Sequence, residues 1–166
     1  LRTLENRAGA VSAFESAFET DERNISVCES LIRLFEEEGA PERLSDIYSA
    51  RLDVGDLFGE ERYELLCKLA TLLETQLKDL GRAIETFQLA LDALPGDPAT
   101  LSNLNRLYRV EEMWSELLDN LRLEASSIED EARRLELRRE IAETLYLKLE
   151  SFEEALEAYR TILEEL

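Results

Sequence analysis

The chain contains no histidine, so the side chain that most often serves as general base near neutral pH, and as a metal ligand, is missing. A serine or cysteine nucleophile would then need a lysine or carboxylate to activate it, and no such arrangement occurs. Nor is there a glycine-rich phosphate loop, a zinc-binding HExxH or a GxSxG elbow. Carboxylates do cluster, as Glu36-Glu37-Glu38, Glu60-Glu61, Glu153-Glu154 and Glu164-Glu165. Adjacent helical residues diverge by about 100°, so such neighbours cannot converge on one substrate and read as solvated faces. None follows the calcium-loop pattern. The expectation is a protein that is not an enzyme and needs no cofactor or metal.

Charge narrows the partners. The net charge is −19, which repels phosphate; nucleic acid is excluded as a partner and anionic membrane surfaces are disfavoured. Solubility accounts for most of such acidity, with an acidic docking surface as the alternative. No apolar run approaches the roughly 18 residues that span a bilayer. Cys28 and Cys67 lie far apart among apolar neighbours and form no disulfide framework. A reducing compartment fits them, and the cytoplasm is favoured. The chain opens Leu1-Arg2-Thr3 without Met and no signal peptide is apparent. It is expected to be a piece of a longer protein, in whose remainder a leader or anchor could lie.

The elements that must position any site are helices. Leu, Glu, Ala and Arg dominate, and only six glycines and three prolines interrupt them. Apolar spacing predicts helices over roughly 7–19, 24–38, 41–53, 60–78, 81–94, 98–111, 114–127, 130–149 and 152–165, with residues 1–6 as the tail of an earlier helix. Gly39 can close one helix and Pro41 open the next. Asp97 caps and Pro98 starts another after Pro95-Gly96, and Ser151 with Glu154 has the capping-box pattern. Connections this short make successive helices antiparallel.

The chain also repeats itself. Shifted by 72 residues, Arg62–Leu94 lies over Arg134–Leu166 without a gap: Leu69 meets Ile141, Ala70 meets Ala142, Leu73 meets Leu145, Ala83 meets Ala155 and Phe87 meets Tyr159. A shift of 73 places Ala10, Phe14 and Ala17 over Ala83, Phe87 and Ala90, and Leu31, Phe35 and Leu44 over Leu104, Tyr108 and Leu117. The one-residue difference marks a loop deletion near residues 53–61. Ordinary bundle patterning does not put small residues in register over such a length.

This alternation of large and small residues resembles the tetratricopeptide repeat (TPR) over nearly the whole chain, and is similar to the long arrays of bacterial proteins. The repeats beginning near Tyr63 and Leu135 match well. Those near Ile25 and Pro98 diverge, with Ile32, Leu44, Asn105 and Leu117 where small residues are usual. The resemblance implies an all-α fold, an α–α superhelix or TPR-like solenoid of antiparallel helix pairs. Residues 1–166 would form a single segment of about four and a half pairs.

The resemblance also implies a concave groove lined by the first helix of each pair. Transferred by position, its lining would be Glu29, Arg33 and Glu36; Cys67, Thr71, Glu74 and Thr75; Ser102, Arg106 and Arg109; and Arg139, Glu143 and Tyr146. Taken singly, each reads as ordinary solvated helix surface. Arg106 and Arg109 share a helix face, and with Arg139 they suggest a basic island able to grip a carboxylate. The clamp for acidic chaperone tails, which needs Lys and Asn, is not implied, because Ser102 and Arg106 stand at those places. Trp114 reads as packing rather than a binding hot spot.

The expected function is a scaffold binding a peptide or protein in this groove. The alternative is a structural spacer, or an accessory repeat region of a larger multidomain protein, without its own ligand. Leu1 would begin mid-repeat and Leu166 would end on a helix without a polar cap, so end-to-end self-association is a further expectation.

Overall fold

Helix starts and stops in this chain follow from identifiable residues. Asn24 accepts a hydrogen bond from the Val27 amide at 3.2 Å, Asp97 from Thr100 at 2.7 Å, and Asp130 from Ala132 and Arg133 at 2.9 and 3.2 Å. Asp79 accepts from the Arg82 amide at 3.1 Å. Each satisfies amides that have no partner inside the helix. Pro41 and Pro98 stand in the first turn of their helices, where a missing N–H is harmless.

The structure, a computed structural model, describes residues 2–21 and 24–164, with side chains from residue 9 onward. Among these it shows no strand and nine α-helices: α1 (Arg2–Thr20), α2 (Ile25–Glu38), α3 (Pro41–Asp53), α4 (Gly59–Leu72), α5 (Leu80–Ala93), α6 (Pro98–Val110), α7 (Trp114–Ser127), α8 (Glu131–Leu147) and α9 (Phe152–Glu164). Three sequence expectations need correction or restriction. The break expected after residue 6 is absent, because α1 runs unbroken from Arg2. Glu154 does not close a capping box but pairs with Arg122 of α7 at 3.3 Å. The expectations placed on Leu1 and Leu166 lie outside the described residues.

The self-similarity extends to the backbone of the turns. Gly39 and Glu112, 73 apart, both adopt the left-handed conformation, at φ 65° and 56°. The following amides bond back five residues, Ala40 to the Phe35 carbonyl and Met113 to Tyr108. Lys78 and Glu150, 72 apart, do the same at φ 57° and 53°. There the closing bonds run six residues back, from Asp79 to Leu73 and from Ser151 to Leu145, both at 2.9 Å. These are helix C-caps that usually call for glycine, yet three of the four carry a side chain. The deletion inferred from the two shifts falls between helices: residues 54–58 join α3 to α4, and only 128–130 join α7 to α8.

By internal contacts the chain divides into two units, residues 1–93 and 94–166. In the first, α1 to α5 pack each on the next in sequence. Its interior holds Cys28, Leu31, Phe35, Leu66, Leu69, Leu73 and Phe87, with Ala70, Ala83 and Ala90 buried where helices must approach closely. The α4 helix continues into a π-helical turn over Leu73–Leu77. Arg51, itself buried, reaches Asp56 in the α3–α4 connection and holds that carboxyl below its usual range, chiefly by hydrogen bonding.

In the second unit, α6 to α9 pack in the same sequential way. Leu118, Leu145 and Ala155 form a buried cluster flanked by Ile141, Leu149 and Ala158. Here the interior is partly polar. Asn120 donates to the Leu101 carbonyl at 3.0 Å and to Asn105 at 2.7 Å; Asn105 donates to Glu124 at 2.7 Å; Arg133 reaches Glu124 at 3.2 Å. The residues 73 earlier are Ile32, Ile47 and Arg51, so two positions that are apolar in one unit carry a hydrogen-bonded chain in the other.

Candidate peptide-binding pockets

Cys67, Thr71 and Thr75 recur every four residues on α4 and its π turn, so they share one face. The Thr71 hydroxyl donates to the Cys67 carbonyl at 2.8 Å and that of Thr75 to Thr71 at 2.6 Å. With Lys68, Leu72 and Gln76 they form one wall of an open pocket of about 490 Å3 within the first unit. The opposite wall is Phe35 and Glu36 of α2, the Gly39-Ala40 turn, and Pro41, Leu44 and Tyr48 of α3. The Tyr48 hydroxyl donates to Glu36 Oε1 at 2.9 Å; burial, then this bond, raises the Tyr48 pKa.

The second unit has the same pocket in altered form. It is lined by Arg109, Trp114, Leu117, Glu140, Glu143, Thr144, Leu147 and Lys148, and encloses about 290 Å3. Every one of these residues lies 72 or 73 after a residue of the first pocket: in order, Glu36, Pro41, Leu44, Lys68, Thr71, Leu72, Thr75 and Gln76. Three exchanges narrow it. Arg109 donates to Glu140 Oε1 from Nε at 2.9 Å and from a terminal nitrogen at 2.5 Å. Trp114 replaces the small ring of Pro41. Lys148, in place of Gln76, holds its ammonium 4.5 Å from the Trp114 ring centroid.

The residues transferred from the repeat pattern are exposed or half-buried throughout. Glu36, Cys67, Thr71 and Thr75 meet in the first pocket, and Arg109 and Glu143 in the second. Glu29 lines a separate depression with Arg51, Glu61 and Lys68. Arg33, Glu74, Ser102, Arg106, Arg139 and Tyr146 line neither pocket; Tyr146 packs edge-on to Phe152 with ring centroids 5.5 Å apart. The basic island does not survive as such. Arg109 is bound to Glu140, Arg106 lies 3.5 Å from Asn103, and Glu143 shares the Arg109 pocket. Trp114 is half-buried and packs as expected, but it packs as a pocket wall.

Sequence reasoning missed the walls supplied by the turn and by the second helix of a pair: Gly39, Pro41, Leu44 and Tyr48. The contrast of Pro41 with Trp114 in the self-alignment was the available signal. Cys28 and Cys67 both remain thiols, Cys28 fully buried with its pKa raised by desolvation.

No family model matches the sequence, and no curated protein matches it. Solved structures do. YrrB, described as a TPR protein with an unusual peptide-binding site, covers 99% of this chain over 80% of its own, at TM-score 0.54 and 17% identity. The fold is that of the tetratricopeptide repeat. MamA aligns over 98% of the chain and 90% of its own, at TM-score 0.53 and 16% identity. A kinesin light chain of Podospora anserina with TPR-like repeats covers 98% and 88%, at 0.51 and 14%. Within the TPR fold, α2, α4, α6 and α8 are first helices, and both pockets lie between consecutive first helices of one unit. No helix among the described residues is long and apolar enough to cross a membrane.

Proposed function

We propose that this chain is a non-catalytic protein-interaction scaffold that receives a peptide or protein segment in the pocket between α2 and α4. The observation that carries this reading is the open pocket itself: an apolar floor of Phe35, Leu44 and Leu72 beneath a rim bearing Glu36, Lys68 and Gln76. Apolar area with few placed polar groups is what peptide recognition requires. Charge supports the same class of partner, since −19 opposes polyanions. The remaining transferred positions of the same unit, Glu29, Arg33 and Glu74, would extend the contact. The reading is tested by selecting a displayed short-peptide library on the chain and on its Thr71→Trp variant, with unchanged circular dichroism as the folding control. Sequences enriched only on the unsubstituted chain support it; a library that yields none dependent on Thr71 overturns it.

One observation favours the spacer reading for the second unit. Its pocket is narrowed to about 290 Å3 by its own side chains, through Arg109–Glu140 and Trp114–Lys148. Self-association has separate support. Leu156 and Leu163 of α9 are 53% and 71% exposed, whereas their counterparts on α5, Ile84 and Leu91, are buried and half-buried. Light scattering at rising concentration should show growing mass, and a strictly monomeric profile would count against stacking through α9.

A further inference from the structure

The second pocket indicates what the first lacks. The two share a frame position by position, so the side chains that narrow one indicate the chemistry that the wider one can take. In the second unit the pocket is narrowed by an aromatic ring, from Trp114, under a cation, from Lys148. In the first, Pro41 and Gln76 occupy those positions and the space widens from about 290 to about 490 Å3. The flanking charges are also exchanged: Glu36 stands where Arg109 does, and Lys68 where Glu140 does.

We propose that the α2–α4 pocket is completed by a partner segment bearing an aromatic residue next to a basic one, the ring filling the space over Pro41 and the cation facing Glu36. This rests on the scaffold reading above and adds the chemistry of the ligand. Glu36 is the counter-ion on this rim, exposed and already oriented by the Tyr48 hydroxyl at 2.9 Å. A carboxylate held by a donor binds a cation without first paying to be ordered. The field of a chain at −19 draws a basic segment toward the site. Lys68, across the pocket, faces the segment's main-chain carbonyl oxygens, which any sequence supplies. Leu44 and Leu72 provide the apolar floor on which a ring is worth most.

Cys67 supplies the readout. Its half-buried thiol lines the pocket, whereas Cys28 is fully buried elsewhere in the core. Blocked peptides with Trp-Lys, Trp-Glu and Ala-Lys cores are titrated into the full chain, and the rate at which a small disulfide reagent modifies Cys67 is followed. The Trp-Lys peptide should slow modification at concentrations about tenfold lower than either control. The Pro41→Trp/Gln76→Lys variant, which supplies its own ring and cation, should lose that protection while keeping its helicity. Glu36→Gln should shift the Trp-Lys midpoint toward that of Trp-Glu. Equal protection by Trp-Glu or Ala-Lys, or none by Trp-Lys, overturns the proposal. If that happens while the displayed library still yields Thr71-dependent sequences, the pocket binds peptides of another chemistry. If the library also fails, the scaffold reading falls with it.

Discussion

Arg109 donates two hydrogen bonds to Glu140, at 2.9 and 2.5 Å, across the very positions that in the first unit hold Glu36 and Lys68. The pair looks like a strut, but both side chains are about a third or more exposed. Exposed pairs contribute little because water and salt screen them. A double-mutant cycle with Arg109→Ala and Glu140→Ala should therefore give a coupling of about 1 kcal/mol or less in chemical denaturation. A coupling of several kcal/mol would mean that the bridge holds α6 to α8.

The left-handed caps make a sharper prediction. Lys78, Glu112 and Glu150 adopt φ near 55° with a Cβ in place, where Gly39 meets the same demand without one. Glycine at any of the three should raise stability by about 0.5–1 kcal/mol, and Gly39→Ala should lower it by about 1 kcal/mol. Thermal unfolding of the four single variants checks this. The gain should not appear on replacing an exposed mid-helix residue such as Glu85 of α5, where glycine costs about 1 kcal/mol.

The buried asparagines can be tested against the chain's own alternative. Asn120→Ala removes the donor to both Asn105 and the Leu101 carbonyl, and should cost about 1–3 kcal/mol. Asn105→Ile with Asn120→Ile installs the residues found at positions 32 and 47. That double variant should be less destabilised than Asn120→Ala alone, because both amides leave together, Glu124 keeps Arg133, and the Leu101 carbonyl stays within the hydrogen-bond ladder of α6. Urea midpoints decide the order.

Tyr48 sets an alkaline limit. Its folded pKa is raised above the usual value near 10, chiefly by burial and then by the bond to Glu36. The folded state therefore holds the proton more tightly than the unfolded chain. The contribution is fully present below about pH 10 and is lost as pH rises through the folded value. Stability measured by urea should fall above pH 10, and the fall should be shallower in Tyr48→Phe. Identical alkaline profiles would contradict the assignment.

Much of the fold was legible because its signals are local and repeated. Pro41, Asp97 and Pro98 begin helices where their chemistry requires, and the 72- and 73-residue shifts reappear in the left-handed residues of the turns. The unbroken start of α1 was not legible, since nothing near residue 6 distinguishes a weak helix from a turn. The site was legible in part. Of the transferred positions, Glu36, Cys67, Thr71 and Thr75 line one pocket, because they share one face of first helices. They could not show that Arg109 is bound by Glu140, a contact between residues 31 apart. Nor could a pattern confined to first helices find Pro41 or Tyr48. Asn105 looked like a defect in the repeat until its partner Asn120 was seen.

On the reading proposed above, the α2–α4 pocket is the place where this scaffold meets its partner. Amide chemical-shift mapping with a Thr71-dependent library peptide tests it most directly. Perturbations should concentrate at Gly39, Glu36, Lys68, Thr71, Thr75 and Gln76, with residues 98–164 unmoved. Perturbations centred on the Arg109–Trp114–Lys148 pocket, or spread over the surface without focus, would contradict it.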